Sequence, residues 1–524
     1  MEKATLVLLN GNVLTLDPSK PKAEAIAICN DKILDVGKNS KIKSYVSEKT
    51  QIIDLKGKTV IPGLTDCHTH MLALGWTLTS LNLRDVKSIK ELKRKLKEFA
   101  RKKPSNKWIL GGRWDQEKFA EKRYPTRWDL DSVIPNRPVF LLRVCGHIAV
   151  CNSKALQLAG IDKNTIPPSG GSIDKDAKTG KPTGILRENA LEFIWRVIPK
   201  PVQEEIEEIC LLACKKAVEN GLTCVHWIAS SPKEIRAIFK LYRKKQLPLR
   251  VYFGVPVEYF DNLAGAGLTT GFGNEMVKIG FVKILADGSL GGRTAALNKP
   301  YADKPETRGM LLYGQRRLTR IILKAHETGF QVAIHAIGDR ALKTVLKAFE
   351  NALSEASRNE CRHRVEHVSL VNKRLLNRMK RLGIIVSVQP HFIISDFWIT
   401  DRLGKKRACW TYVFKTFLRH GLIVVGGSDC PVEPINPLLG IWAAVARKIS
   451  PKESLTVEEA LRLYTVNAAY ASFEENTRGT IEKGKWADLT VLDKDITNIP
   501  PDEIRTIRVK MTIVGGRIVY QAEP

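Results

Sequence analysis

Short runs of alternating apolar and polar residues occupy both ends of the chain. Near the amino terminus they are separated by turn residues such as Asn10-Gly11-Asn12 and Asn30-Asp31, and the same texture returns between residues 479 and 520. A period of two residues with frequent turn signals predicts β-strands joined in a meander. We therefore expect residues 1–62 and 476–524 to build one small β-sandwich domain together.

Between these ends, from residue 63 to 475, short apolar runs alternate with longer segments of helical periodicity. Such alternation is typical of parallel βα units. The apolar runs that qualify as strands lead to His68, His226, Gly254, Leu285, His335, His367, Gln389 and Asp429. Eight βα units predict an α/β fold, a TIM (β/α)8 barrel with its active site at the carboxyl ends of the strands. Because such a barrel needs about 250 residues, residues from about 75 to 215 are predicted to be mostly an α/β insertion after the first strand.

The first candidate for chemistry is a histidine pair at the start of this barrel region. His68 and His70 follow the apolar run 58–61 and the breaker pair Pro62-Gly63. Two histidines two residues apart at the end of a strand point to the same side of the pleat. Neutral imidazoles there can hold one metal ion.

Later strand ends carry further donors of the same kind. His335 and His367 end the fifth and sixth predicted strands, and Asp429 is the predicted last residue of the eighth. Each has a structural alternative, such as a core histidine bonded to the backbone or an aspartate that caps a helix. The ordered set nevertheless predicts a metal centre at the barrel mouth, since a carboxylate suits both a metal ligand and a base for metal-bound water.

Composition is that of a globular enzyme. Of the 524 residues, 44% are hydrophobic, enough for a large core. No apolar run reaches the roughly 18 residues of a membrane span, and the chain start is too interrupted for a signal peptide. The cysteines are scattered, which favours buried reduced thiols. We therefore expect a cytoplasmic protein without a membrane partner.

The formal charge of +29 is the one feature that suggests nucleic acid. The basic residues are spread along predicted helices, as between Lys87 and Lys103, where Glu91 and Glu98 are interspersed. Such residues form solvated helix faces, and no zinc-finger spacing or aromatic stacking pattern accompanies them. The charge therefore predicts attraction of anionic substrates or weak non-specific affinity, without a specific nucleic-acid partner.

Taken together, the motifs of the chain resemble those of one family. They are Pro62 to His70, Gly112 to Asp115, Cys145-Gly146-His147, Gly184 to Glu188, Lys283 to Gly291, Ile334 to Ala341, Arg364 to His367, Gln389-Pro390-His391 and Gly427 to Val432. Over nearly its whole length the chain is similar to metal-dependent hydrolases of the amidohydrolase superfamily, in the amidohydrolase 3 or YtcJ-like group. Two departures are small: Arg113 interrupts what is often Gly-Trp-Asp, and Gly292 stands where the group often has serine.

The resemblance implies a ligand set that includes a modified lysine. In this family the fourth strand supplies a lysine that can be carboxylated to bridge two metals, and Lys283 lies on the predicted fourth strand. An unmodified ammonium would repel a divalent cation, so the modification decides whether Lys283 is a ligand. The implied metal ligands are His68, His70, Lys283, His335, His367 and Asp429, and the expected cofactor is Zn²⁺, one or two ions per chain.

An alternative ligand set stays open. In it Lys283 remains free and pairs with Asp287 or Asp429, and a single ion uses His68, His70, His335 and Asp429.

The predicted reaction is hydrolysis of a non-peptide C–N bond, in an amide, formamide or carbamate-like substrate, by metal-activated hydroxide. Asp429 is the predicted base that accepts the water proton and delivers it to the leaving nitrogen, while His147 or a second metal polarises the carbonyl oxygen. The predicted substrate-binding residues, each with a structural role as its alternative, are Trp114, Asp115, Glu188, Asp287, Arg293 and His391.

Two other functions stay open at this point. One is a deaminase of an amino-substituted ring on the same scaffold, and the other is a non-catalytic basic nucleic-acid-binding protein. No residue pattern identifies the small-molecule substrate. A symmetric homodimer is the commonest assembly to expect.

Overall fold

A computed structural model describes residues 2–102, 108–144, 146–356 and 362–523. The chain forms two compact units. The larger unit combines Met1–Ala73 with Cys210–Pro524, and the smaller unit is Leu74–Ile209. Cys145, which belongs to one of the motifs above, lies outside the described residues.

Eight parallel strands form the centre of the larger unit. They are β1 (Leu64–Thr69), β2 (Leu222–Ile228), β3 (Arg250–Pro256), β4 (Val277–Leu285), β5 (Gln331–Ala336), β6 (Arg364–His367), β7 (Ile385–Val388) and β8 (Val424–Gly426). Each strand pairs in parallel with the next one in the chain. Two backbone hydrogen bonds join the segment after β8 to β1 and so nearly close the barrel. The Asp429 N–H donates to the His68 carbonyl and the His70 N–H donates to the Cys430 carbonyl, both at 2.8 Å. This nearly closed barrel confirms the predicted TIM-barrel fold.

Helices separate the strands of the barrel and also follow the last strand, as the periodicity predicted. They are Gln203–Glu219, Pro232–Arg243, Val257–Gly265, Gln315–Glu327, Asp339–Glu355, Lys373–Arg381, Phe392–Ser395, Ile399–Leu403, Lys405–Ala408, Phe414–Arg419, Pro437–Val445, Val457–Leu463 and Val466–Ala471. Their starts follow local rules: Ser231 accepts from the Glu234 N–H in front of a proline, and Asn372 accepts from the Leu375 N–H. No helix in the described ranges has the length and apolarity that a bilayer crossing needs.

Two further sheets in the larger unit form a β-sandwich. One has the order Lys32–Gly37, Ala25–Cys29, Leu6–Leu9 and Gln51–Asp54, beside the short helix Asn39–Lys43. The other has the order Arg517–Gln521, Val509–Val514, Leu489–Leu492, Thr59–Pro62, Asn12–Leu14 and Lys22–Ala23. Apolar residues of both sheets, among them Leu8, Ile26, Val60, Leu489 and Ile513, share one core. Because the second sheet takes strands from both chain ends, the two ends form one domain.

Two details of the strand predictions are wrong. The run Thr59–Pro62 is not the strand that carries the histidines: it pairs with Leu489–Leu492 in the sandwich, within the range 1–62 expected for that domain, and the histidine segment has its own barrel strand, β1. The eighth strand ends at Gly426 and does not reach Asp429. Asp429 has a φ of +57°, in the left-handed region, where a pleated strand cannot continue.

The smaller unit is a mixed α/β domain inserted after β1 in the sequence. Its sheet has the order Gly171–Lys175, Pro182–Glu188, Ile148–Cys151, Val139–Arg143, Ile109–Trp114 and Leu81–Asn82. Its helices are Ile89–Arg101, Arg127–Asp131, Ser153–Leu158 and Glu192–Val197, and the helix Met71–Thr79 leads into it from His70. An α/β insertion after the first barrel strand was the expectation from the sequence.

Candidate metal centre

Three of the predicted ligands meet where β1 and the segment after β8 adjoin. The side chains of His68, His70 and Asp429 each offer a ligand atom, and these atoms lie within 4.8 Å of one another. The Asp429 Oδ1 is 3.1 Å from the His70 Nε2 and 3.4 Å from the His68 Nε2. The backbone hydrogen bonds that close the barrel run through these same residues, so closure of the barrel itself brings the donors together.

The backbone at this edge is strained. Asp429 and His367 have φ values of +57° and +74°, and Val368 follows at +46°. The left-handed region is unfavourable for residues other than glycine, especially for a β-branched one such as valine. Strained conformations cluster at functional sites, where the surrounding structure holds them in place.

Lys283 lies inside the barrel beside this group. Its Nζ is 3.3 Å from the His68 Nε2, and the side chain is buried. Burial lowers the pKa of Lys283 to about 8. The lysine therefore takes His68 as its hydrogen-bond partner, whereas the sequence suggested Asp287 or Asp429. It occupies the nitrogen lone pair that a metal ion would use.

The other two histidines stand next to the group. The ring centre of His367 is 4.9 Å from that of His68 and 4.4 Å from that of His335. The His335 Nε2 donates to the Gly288 carbonyl at 3.0 Å, which leaves the lone pair on its Nδ1. No residue within the described ranges bonds to the buried Nδ1 of His367.

The electrostatics suit a metal ion. Burial lowers the pKa of His335 to about 4 and holds the pKa values of His68 and His367 well below their usual range, so these imidazoles are neutral. Burial opposes ionisation of Asp429, but the hydrogen bond from His70 and the nearby charge of Lys283 outweigh it, and the pKa of Asp429 lies below the ordinary value. Neutral imidazoles, an ionised carboxylate and an unpartnered ring nitrogen fit a divalent cation such as zinc.

Sequence reasoning missed the charged residues beneath this site. Glu366 is wholly buried, and its Oε2 accepts from the His68 Nδ1 at 2.5 Å. Arg364, two residues earlier on β6, is also wholly buried and donates from its Nε to the Glu366 Oε1 at 2.9 Å. The motif Arg364 to His367 could have indicated this arrangement. Two charged residues at alternate positions of a buried strand point to the same side and need partners inside the barrel.

Asp66 was also missed. It is buried on β1, and its Oδ1 accepts the backbone N–H groups of His68 and Ser428, both at 3.0 Å. Burial raises its pKa to about 7. Through these two hydrogen bonds the Asp66 carboxyl links β1, which carries His68, to the segment that carries Asp429.

Asp287, a predicted substrate-binding residue, organises loops. Its carboxylate accepts the backbone N–H groups of Ala296, Ile337 and Gly338 at 2.8 to 3.0 Å, and its Oδ1 is 3.5 Å from the His335 Nε2. It thereby joins the loops that follow β4 and β5.

Arg293 and His391 have acidic partners in the larger unit. Arg293 pairs with Asp303 at 2.8 Å, and the His391 Nδ1 bonds to Glu433. Contact of either with a substrate stays a prediction.

The remaining predicted site residues belong to the smaller unit. Trp114 is wholly buried in its core, and the indole N–H donates to the Leu141 carbonyl at 2.8 Å. Asp115 accepts from Arg143 at 2.9 Å. The His147 Nδ1 and the Glu188 Oε2 are 2.9 Å apart, and both side chains are exposed. Within this unit Trp114 has the core position that was its structural alternative, while His147 and Glu188 form an accessible acid–base pair.

A (β/α)8 barrel whose strand ends hold imidazole and carboxylate donors has the architecture of a metal-dependent hydrolase. The model of the amidohydrolase family matches residues 51–520, and the chain belongs to this family. It is 37% identical to YtcJ of Bacillus subtilis (strain 168) over 98% of both chains. It is 28% identical to the N-substituted formamide deformylase of Arthrobacter pascens, again over 98% of both.

Solved structures agree with this assignment. The crystal structure of an uncharacterised metal-dependent hydrolase from Pyrococcus furiosus matches with a TM-score of 0.81 at 36% identity, over 94% of this chain and 100% of that one. The protein is thus an enzyme, a hydrolase of the amidohydrolase family.

Proposed function

We propose that this enzyme hydrolyses a non-peptide C–N bond in a small amide, formamide or carbamate-like compound and uses one or two zinc ions. The observation that carries the proposal is the meeting of His68, His70 and Asp429 at the strand ends. The similarity to a protein named as an N-substituted formamide deformylase supports the substrate class.

Zinc would be held by the predicted set His68, His70, Lys283, His335, His367 and Asp429. When bound, a divalent ion supplies a Lewis acid that polarises a carbonyl and lowers the pKa of water toward about 7. The neutral imidazoles keep their lone pairs available, since burial disfavours their protonation.

Lys283 joins this set through carboxylation. Its pKa of about 8 leaves a neutral fraction near physiological pH, and a neutral amine adds to carbon dioxide to form an N–C bond with release of one proton. The product is a carbamate anion. It would replace a cation that now bonds to the His68 Nε2 with an anion that can share a metal ligand set.

Asp429 moves the proton. Its carboxylate is ionised and directed at the nitrogens of His68 and His70, the place where a water must be deprotonated. It accepts the water proton and then delivers it to the leaving nitrogen, so that one residue serves as base and acid in turn.

His147 is proposed to polarise the substrate carbonyl oxygen. Because Glu188 accepts from its Nδ1, the Nε2 is the nitrogen left for the substrate. A neutral ring would carry only a lone pair there, so this role requires the imidazolium form. His147→Gln and Glu188→Gln should therefore both lower kcat.

The proposal is tested by measuring both the bound metal and the reaction products of the enzyme. The protein is grown with zinc and bicarbonate, its metal content per chain is measured, and it is assayed with N-substituted formamides, simple amides, carbamates and amino-substituted rings. We expect bound zinc and release of a carboxylate with an amine. Ammonia release from a ring would identify a deaminase instead, and a chain that binds no metal would refute the proposal.

A further inference from the structure

Arg364 lies at the floor of the metal centre and links several barrel strands. Its guanidinium donates to the Cys67 carbonyl on β1 and to the His226 Nδ1 on β2, both at 2.8 Å, and to the Glu366 Oε1 on its own strand. It also lies over the ring of Phe281 on β4, 4.8 Å from the ring centre. Five donors in a rigid fork suit one side chain to such a set of partners.

These contacts fix the direction of each hydrogen bond. A guanidinium only donates, so the Glu366 Oε1 is an acceptor whose position is set by Arg364. The second oxygen, Oε2, is then held against the His68 Nδ1 at 2.5 Å. Since a carboxylate only accepts, the proton of His68 must be on Nδ1, and its lone pair must be on Nε2.

The His68 Nε2 faces the proposed metal position. It is 3.4 Å from the Asp429 Oδ1 and 3.3 Å from the Lys283 Nζ. A ring with the opposite tautomer would present an N–H to this space and could not bind a cation. Metal-binding histidines commonly depend on a carboxylate partner in this way.

We infer that Arg364 and Glu366 are positioning residues that lock the tautomer and orientation of His68, and so set the metal affinity of the site. The inference rests on the metal centre of the proposed function. It goes beyond that function by assigning a role to two buried residues that would touch neither metal nor substrate.

Glu366→Gln tests this directly, because glutamine keeps the size of the side chain but has one acceptor instead of two. If the amide oxygen accepts from Arg364, the amide N–H2 faces the His68 Nδ1 and forces the wrong tautomer. If the amide turns over, its N–H2 meets the guanidinium, donor against donor. Either arrangement disrupts the contacts of residue 366 that fix the tautomer and orientation of His68.

A matched control exists in the same unit. Glu474 is also buried and pairs with an arginine, Arg478, at 2.6 Å, and its other side-chain partners are Lys278 and Ser472. Glu474→Gln therefore removes a comparable buried charge from a different cluster.

The measurement is zinc bound per full-length chain, by elemental analysis, after equilibration with buffered free zinc and bicarbonate. Urea unfolding of each variant checks the fold. We expect Glu366→Gln to need roughly ten- to a hundredfold more free zinc for half-saturation, the range typical of lost outer partners. Glu474→Gln should bind as the wild type does.

Unchanged zinc binding in Glu366→Gln, or an equal loss in both variants, would overturn the inference. If Glu366→Gln fails to fold, Arg364→Lys decides, because lysine keeps the charge but loses the fork. It should weaken zinc binding, and wild-type binding there would also overturn the inference. A wild type that binds no zinc would instead refute the metal centre itself, a result distinct from these.

Discussion

Replacement of Asp429 by asparagine separates proton transfer from backbone geometry. Asp429 has a φ of +57°, and asparagine is among the residues that tolerate the left-handed region. The variant thus keeps the volume, the backbone conformation and one oxygen near His68 and His70, and loses the charge and the ability to accept a proton.

The expected effect follows from the role of the residue. General acid–base catalysis contributes about 10²- to 10⁴-fold to the rate, which corresponds to about 3–5 kcal/mol of barrier. Because Asp429 is proposed to act in both proton transfers, we expect kcat of Asp429→Asn to fall by at least about a hundredfold. KM should change much less, since no substrate contact is removed.

The assay measures kcat and KM on an N-substituted formamide together with zinc per chain, in wild type, Asp429→Asn and Asp429→Ala. Alanine adds a backbone cost of about 1–2 kcal/mol at this φ and removes the ligand oxygen as well, so its zinc content should fall further. Activity of Asp429→Asn within tenfold of wild type, with zinc retained, would refute Asp429 as the base.

Three further predictions concern other parts of the larger unit. Gly427→Ala should lower zinc binding, because a Cβ there would lie 2.7 Å from the His68 backbone nitrogen and 2.8 Å from its Cβ; Gly314→Ala, where a Cβ meets no atom within 4 Å, should bind zinc normally. Asp488→Asn should lower the free energy of unfolding by about 3–5 kcal/mol, since it leaves Arg250 buried without its two-bond partner; Asp261→Asn, at an exposed pair with Lys324, should not change it measurably in urea. Burial lowers the pKa of His363 to about 3 from an ordinary value near 6.5, so the unfolded chain binds the proton first and stability is lost as the pH falls from about 6.5 toward 3. Urea titrations of His363→Gln against pH should show a shallower loss than wild type in that window, and parallel curves would contradict this assignment.

The barrel and its ligand candidates were accessible to sequence reasoning because they depend on local patterns. Alternation of apolar strands with helices is written into consecutive residues, and a histidine that ends an apolar run marks a strand end. The structure placed β5 and β6 where those runs end in His335 and His367.

Pairing between distant segments was harder to predict. The run Thr59–Pro62 is as apolar as a barrel strand, and its pairing partner in the sandwich, Leu489–Leu492, lies more than 400 residues later in the chain. In the same way the burial of Trp114 depends on distant neighbours, which enclose it in the core of the smaller unit.

By itself the sequence determined that the chain forms βα units with histidine and aspartate side chains near their ends, because periodicity and residue chemistry are local properties. Only the tertiary structure decided which donors converge, which nitrogen of His68 lies against Glu366, and that Arg364 and Glu366 are buried beside it. The physical reason is that these features depend on barrel closure, which brings β1 and β6 within hydrogen-bond distance although about 300 residues separate them in the chain.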